Sequence, residues 1–308
     1  MKVKNHTYQQ FQLKDDYEGK VEATFISANS NTYKRPIILY IHGFIDYFFH
    51  PHLSFFLDEN GYDFCALEIR KYGHAMLSHQ HPNYCRNIEE YFEEIDQAIL
   101  KIREISQEEI ILLGHSTGGL ITSLYLNKGA QRSQIAALVL NSPFLETNVP
   151  ALVRLVLKPI TGWVGSRFPY AKLDGMLPPI YPSSIHKDYE GEWDFNLKFK
   201  PIAGFPVYFK WSRAIMDAQD ELKTNSNIGQ PVLLLHSSDS YLPKKHEPRV
   251  MKADIVLNVA HMKAIGPHLG ENVTLVEIKD GIHDLFLSKK PVREHAMNEM
   301  VKWLNETV

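Results

Sequence analysis

A serine set between glycines is the first place in this chain where covalent chemistry could be done. Gly114-His115-Ser116-Thr117-Gly118 lies inside EEIILLGHSTGGLITSLYL, between a short apolar strand, Ile110 to Leu113, and an apolar-periodic helix from about Gly119. Glycines on both sides allow a turn so sharp that Ser116 is held in a strained backbone conformation, its hydroxyl projecting above the sheet edge. The strand before and the helix after are what a G-x-S-x-G nucleophile elbow requires, and they separate it from a structural Gly-rich turn. A serine hydroxyl is a poor nucleophile near neutral pH, so it needs an adjacent base that an acid orients. That base should come from a strand-end loop near the C-terminus. Of the fifteen histidines, only His283, just past VTLVEIKDG, is set in a strand–Gly–x–His context. His115, inside the turn, points away from its neighbour and reads as packing.

The elements that must position these residues follow from hydrophobic period. Residues 8–14 and 20–27 alternate apolar and polar around Asp15, Asp16 and Gly19, which predicts an N-terminal hairpin. Residues 36–41, 62–69, 135–144, 231–240 and 273–278 are continuous apolar runs, as expected of strands covered on both faces. Helices are predicted over about 51–59, 88–105 and 258–269, and from Pro291 to the C-terminus. Strands alternating with helices predict a mostly parallel, doubly wound sheet with its site at the C-terminal ends of the strands. From about Leu145 to Asn227 this rhythm breaks into a segment rich in proline and aromatics, where ALVRLVLKPITGWVG reads as a helix interrupted at Pro159. The organisation expected is a core of residues 1–144 and 228–308 with an insertion, 145–227, that would act as a lid.

Composition adds limits. The 308 residues are 44% hydrophobic and 22% charged with a formal charge of −3, which gives no pull toward nucleic acid or anionic membranes. The two cysteines, Cys65 and Cys85, make no disulfide framework. No stretch approaches a membrane span and the N-terminus has no signal-like apolar core, so a soluble cytoplasmic protein is expected. His50-Pro51-His52 and His79-Gln80-His81 have a plausible metal-ligand spacing but no acid or cysteine cluster beside them, and read as solvated loop histidines.

Taken together, HGF at 42–44, RKYGHA after the next strand, GHSTGG at 114–119 and GIHD at 281–284 resemble the α/β-hydrolase fold. They are most similar to the serine-hydrolase branch that holds monoacylglycerol lipases, lysophospholipases and the serine aminopeptidase group. The resemblance covers nearly the whole chain apart from the insertion. It implies Ser116 as nucleophile, His283 as general base and then acid, and an oxyanion hole from the backbone N–H groups of Phe44 and Thr117. It also implies that no cofactor or metal is needed.

The acid is where the sequence departs from the common pattern. Relatives carry H-G-x-x-D in the loop where this chain reads His236-Ser237-Ser238-Asp239-Ser240, so Ser240 stands at the expected acid position. Asp239 is one residue early. Asp254 is followed almost at once by a helix, a strand and His283, the usual layout, which makes residues 241–253 an insertion in the acid loop. Asp254 is the preferred acid and Asp239 the alternative; Asp254 could also merely cap a helix. Asp284, adjacent to His283, would point elsewhere.

The reaction expected is hydrolysis of a carboxylic ester with a hydrophobic, lipid-like acyl group, by a carboxylesterase or a lysophospholipase- or monoacylglycerol-lipase-like enzyme. An aminopeptidase-type hydrolase would recognise a free amine through acidic lid residues, for which Glu190, Glu192 and Asp194 are candidates. A non-catalytic ligand-binding module has only the displaced acid to support it.

Overall fold

A computed structural model of the chain describes residues 6–28, 33–173 and 179–308. Ten strands and eight α-helices alternate along these residues. The N-terminal strands β1 (His6–Gln12) and β2 (Glu22–Ala28) pair antiparallel, Gln12 opposite Glu22, as the alternating sequence predicts. β2 pairs antiparallel with β4 (Asp63–Glu68), and from there the sheet is parallel. Its order is β1-β2-β4-β3-β5-β6-β9-β10, with β3 at Ile37–Ile41, β5 at Ile110–His115, β6 at Ile135–Asn141, β9 at Val232–Ser237 and β10 at Val273–Ile278.

Every residue of β3, β5 and β9 is buried, the physical meaning of their unbroken apolar runs. Alternate residues feed two cores. Ile37, Leu39 and Leu112 pack on the side of α2 (Phe92–Arg103) and α3 (Thr117–Lys128), while Ile38, Tyr40 and Leu113 pack with α1 (Pro51–Glu59) and α8 (Lys290–Thr307). Cys65 and Cys85 are buried free thiols. No helix among the described residues is long and apolar enough to cross a membrane.

Between β6 and β9 the chain forms α4 (Ala151–Arg167), a two-residue ladder of β7 (Lys172–Leu173) with β8 (Val207–Tyr208), α5 (Ile180–Ile185) and α6 (Phe209–Asn225). The interruption expected at Pro159 is absent: α4 runs through it. Proline removes one helical hydrogen bond and crowds the preceding turn, but Pro159 lies on the exposed side of α4. The other side is fixed on α6 by Arg154 and Lys158, which pair with Asp220 at 2.8 and 2.6 Å. Tertiary anchoring overrides the local break.

Candidate active site

The turn between β5 and α3 is where the sheet meets the chemistry. Ser116 has φ 52° and ψ −116°, the left-handed strain that the glycine-flanked motif implies. Its backbone is tied on both sides: its N–H donates to the Asn141 carbonyl at 3.0 Å, and its carbonyl accepts the Phe144 N–H at 2.9 Å. A methyl on Gly118 would lie 2.3 Å from the Ile41 carbonyl oxygen, so α3 abuts the end of β3 only because that residue has no side chain. Helix α3 begins at Thr117, two residues before the sequence placed it.

His283, from the loop after β10, turns its Nε2 to the Ser116 Oγ at 3.0 Å and its Nδ1 to Asp254 Oδ2 at 2.9 Å. A single neutral tautomer serves both contacts: Nδ1–H donates to the carboxylate and the Nε2 lone pair accepts the serine hydroxyl. Asp254 is fully buried, and its other oxygen accepts the backbone N–H groups of Val256 at 2.8 Å and Leu257 at 2.7 Å. It caps no helix; α7 (Val259–Ile265) is capped by Asn258. Asp239 is a different kind of residue, nearly half exposed and paired with Arg249 at 2.6 Å.

The acid loop explains its own irregular sequence. The chain leaves the sheet after β9 and returns so that Ser240 and Asp254 form a parallel bridge, with the Asp254 N–H donating to the Asp239 carbonyl at 2.9 Å. Residues 241–253 are the excursion between them, and Asp254 re-enters beside the position that Ser240 holds.

Asp284 turns away from the serine. It accepts from His50 Nε2 and Asn141 Nδ2, both at 2.8 Å, and so joins the loop after β3, the end of β6 and the loop after β10. Burial would raise its pKa, but His115 and His50 together with these hydrogen bonds hold it well below the carboxylate range. His115 is buried with its Nδ1 3.1 Å from the Asn141 carbonyl, and burial lowers its pKa to about 4. His52 bonds the Phe286 carbonyl at 2.8 Å, and His79 that of Lys20 at 3.2 Å, while His81 faces Glu18. Asp46, His115 and Asp284 bring one potential metal-ligand atom each within 4.8 Å of one another, but Asp46 is engaged by Lys200 and Asp284 by His50.

Ser116 and His283 open onto a cavity of about 460 Å³. Its walls come from the loop after β3 (Phe44, Asp46), the 145–227 segment (Tyr181, Lys200, Trp211) and the acid loop (Leu242). Trp211 stacks on Phe44 with ring centroids 4.1 Å apart. Phe44 and Thr117 line the same cavity, Thr117 as the first residue of α3, where a backbone N–H has no intrahelical acceptor. The acidic turn Glu190, Glu192 and Asp194 is elsewhere: all three are exposed, with Glu192 on Arg293 and Asp194 on Lys187. Lys200 and Tyr181, both in irregular or short elements of the aromatic segment, carry no local sequence pattern that marks them as pocket residues.

A mostly parallel sheet that presents a strained serine at a strand-to-helix turn, with a histidine from the last strand's loop, is the α/β-hydrolase fold. Within that fold the chain belongs to the serine aminopeptidase (S33) hydrolase family, whose profile it matches over residues 32–289. A search of curated proteins finds no match to the sequence. Among solved structures, the chain is similar to a soluble variant of monoglyceride lipase from Saccharomyces cerevisiae in complex with a substrate analogue: 16% identity, 100% of this chain and 97% of that one, TM-score 0.71. It is also similar to the monoacylglycerol lipase of Paleococcus ferrophilus, at 18% identity over 98% and 100% of the two chains with a TM-score of 0.67. DcsB in complex with its substrate analogue matches at 16% identity over 98% and 100%, with a TM-score of 0.66. At these identities the likeness is one of fold.

Proposed function

We propose that the protein is a serine hydrolase of carboxylic esters with a hydrophobic acyl group, acting through an acyl-enzyme. The observation that carries this reading is the hydrogen-bonded series Ser116–His283–Asp254, whose serine and histidine line a largely apolar cavity.

Ser116 attacks the ester carbonyl as His283 Nε2 takes its proton. Asp254 holds the imidazole in its Nδ1–H tautomer and stabilises the imidazolium that forms. The backbone N–H groups of Phe44 and Thr117 receive the negative charge that develops on the carbonyl oxygen. The imidazolium then protonates the leaving alkoxide, and the alcohol departs. Water, deprotonated by the same nitrogen, attacks the acyl-enzyme, and the proton returns to Ser116 as the acid is released. The 145–227 segment acts as the cap, since Val149, Ile180, Ile202 and Trp211 face the cavity.

Two features favour esters with apolar acyl groups over peptides with a free N-terminus. The cavity wall is mostly apolar, and the acidic turn that an aminopeptidase would use to recognise an amine faces outward on its own ion pairs. The test is hydrolysis of p-nitrophenyl esters of increasing acyl length beside amino-acid p-nitroanilides. Ester turnover with a medium-chain optimum, abolished in Ser116→Ala, supports the reading. Turnover confined to the anilides would replace it with the aminopeptidase one.

A further inference from the structure

Among the described residues that line the cavity, Lys200 and Asp46 are the only side chains of fixed charge. They come from different parts of the fold. Asp46 belongs to the loop after β3 that carries Phe44, and Lys200 to the 145–227 segment. Both are more than nine-tenths buried, and the Lys200 Nζ donates to Asp46 Oδ1 at 2.8 Å. The ammonium also lies over two aromatic faces, 5.4 Å from the Phe49 ring centroid and 5.8 Å from that of Phe195. Burial alone would raise the Asp46 pKa, but Lys200, with His50 and His115, holds it below the carboxylate range.

A cationic substrate group entering a buried cavity gives up its hydration and needs a carboxylate in return. Among the described residues Asp46 is the only carboxylate in the cavity wall, and an ammonium from the protein already occupies it. We propose that Lys200 is a specificity-determining residue, an internal cation that takes the place a substrate amine would need on Asp46 and so restricts the cavity to neutral esters. The inference rests on the ester-hydrolase reading above and deepens it. It explains how a member of a family named for aminopeptidase activity would exclude amines: the acid is present but is satisfied from within.

The pair has a mirror consequence. Without Lys200, Asp46 becomes a vacant partner for a cation; without Asp46, Lys200 becomes one for an anion. A purely structural latch between cap and core would alter the turnover of all esters alike. Only a specificity role changes their ratio.

The experiment compares charge-differing isosteres. Dimethylaminoethyl hexanoate and isopentyl hexanoate differ by a protonated nitrogen in the alcohol part. The methyl ester of an ω-dimethylamino fatty acid and its isopropyl-ended carbon analogue make the same comparison in the acyl part. Rates at pH 7 are followed by titration of the released acid. In the wild type, kcat/KM for the neutral member of each pair should exceed that for the cationic one by at least about a hundredfold. In Lys200→Met the ratio should move toward the cationic ester by about tenfold or more in at least one pair, and in Asp46→Asn/Lys200→Met it should return.

Should Lys200→Met not fold, Asp46→Asn supplies the mirror test: a carboxylate-ended ester should gain on its neutral analogue. A wild type that takes cationic and neutral esters equally overturns the proposal, as does an unchanged ratio in the folded variants. If instead the wild type hydrolyses no neutral ester beyond the rate of Ser116→Ala, the ester-hydrolase reading itself has failed.

Discussion

His283 Nδ1 lies 2.9 Å from Asp254 Oδ2, and the other oxygen of that carboxylate is held by two backbone N–H groups of its own loop. A buried acid fixed in this way cannot rotate to follow the imidazole; the imidazole must conform to it. The loop 239–257 therefore sets the direction of His283 and, through it, the hydrogen bond to Ser116.

Exchange of either aspartate for asparagine separates the two candidate acids. Asp254→Asn keeps the shape but presents an amide N–H to His283 or reverses the imidazole tautomer, and should lower kcat by about 10³–10⁴-fold. Asp239→Asn loses only a half-exposed pair with Arg249 and should stay within about threefold of wild type. Steady-state kinetics on one ester suffice, and an inactive Asp239→Asn beside an active Asp254→Asn would reverse the assignment.

The strain at Ser116 has a measurable consequence. At φ 52° an L-residue other than glycine stores about 1–3 kcal/mol, while glycine's extra chain entropy returns about 0.5–1 kcal/mol. Ser116→Gly should thus be inactive yet at least as stable as wild type, and more stable than Ser116→Ala by about 1 kcal/mol in urea unfolding. Equal stability of the two variants would mean that the turn is not strained.

Stability should fall as the solution is acidified from neutrality. Burial lowers the His115 pKa from 6.5 to about 4. Between those values the unfolded chain binds a proton that the folded chain does not, so stability rises with pH across the window and is lost as pH falls through it. His52, lowered to about 3 by burial and by His50, acts with the same sign. Replacing His115 with Gln should flatten the dependence between pH 6 and 4.5 by up to about 1.4 kcal/mol per pH unit. Denaturant titrations at several pH values measure it, and an unchanged slope would show that His115 does not titrate in this way.

Much of this arrangement is legible in the sequence because burial on both faces leaves a plain signature. The runs that become β3, β5 and β9 have nowhere to place a polar side chain, whereas the edge strand β1 is exposed from Thr7 to Gln10 and buries only Phe11. The meeting of Ser116 with His283 is legible for a related reason: both sit just past the ends of parallel strands, and parallel strands bring those ends together. Asp254 against Asp239 is less so, because the return of the chain beside Ser240 depends on backbone pairing that no residue type announces. Pro159 misleads because local propensity knows nothing of the anchor that α6 provides. Lys200 gives no sign at all, since a lysine two residues from another in FNLKFKPIAGF reads as surface until the fold lays it against Asp46.

The acyl-enzyme on Ser116 is the most direct test. Protein turning over p-nitrophenyl octanoate would be quenched in acid within the burst, digested and examined by mass spectrometry. The expected result is an octanoyl group on the peptide that contains Ser116, absent from Ser116→Ala along with the p-nitrophenol burst. Turnover that persists in Ser116→Ala, or an acyl group carried by another residue in the wild type, would contradict the mechanism.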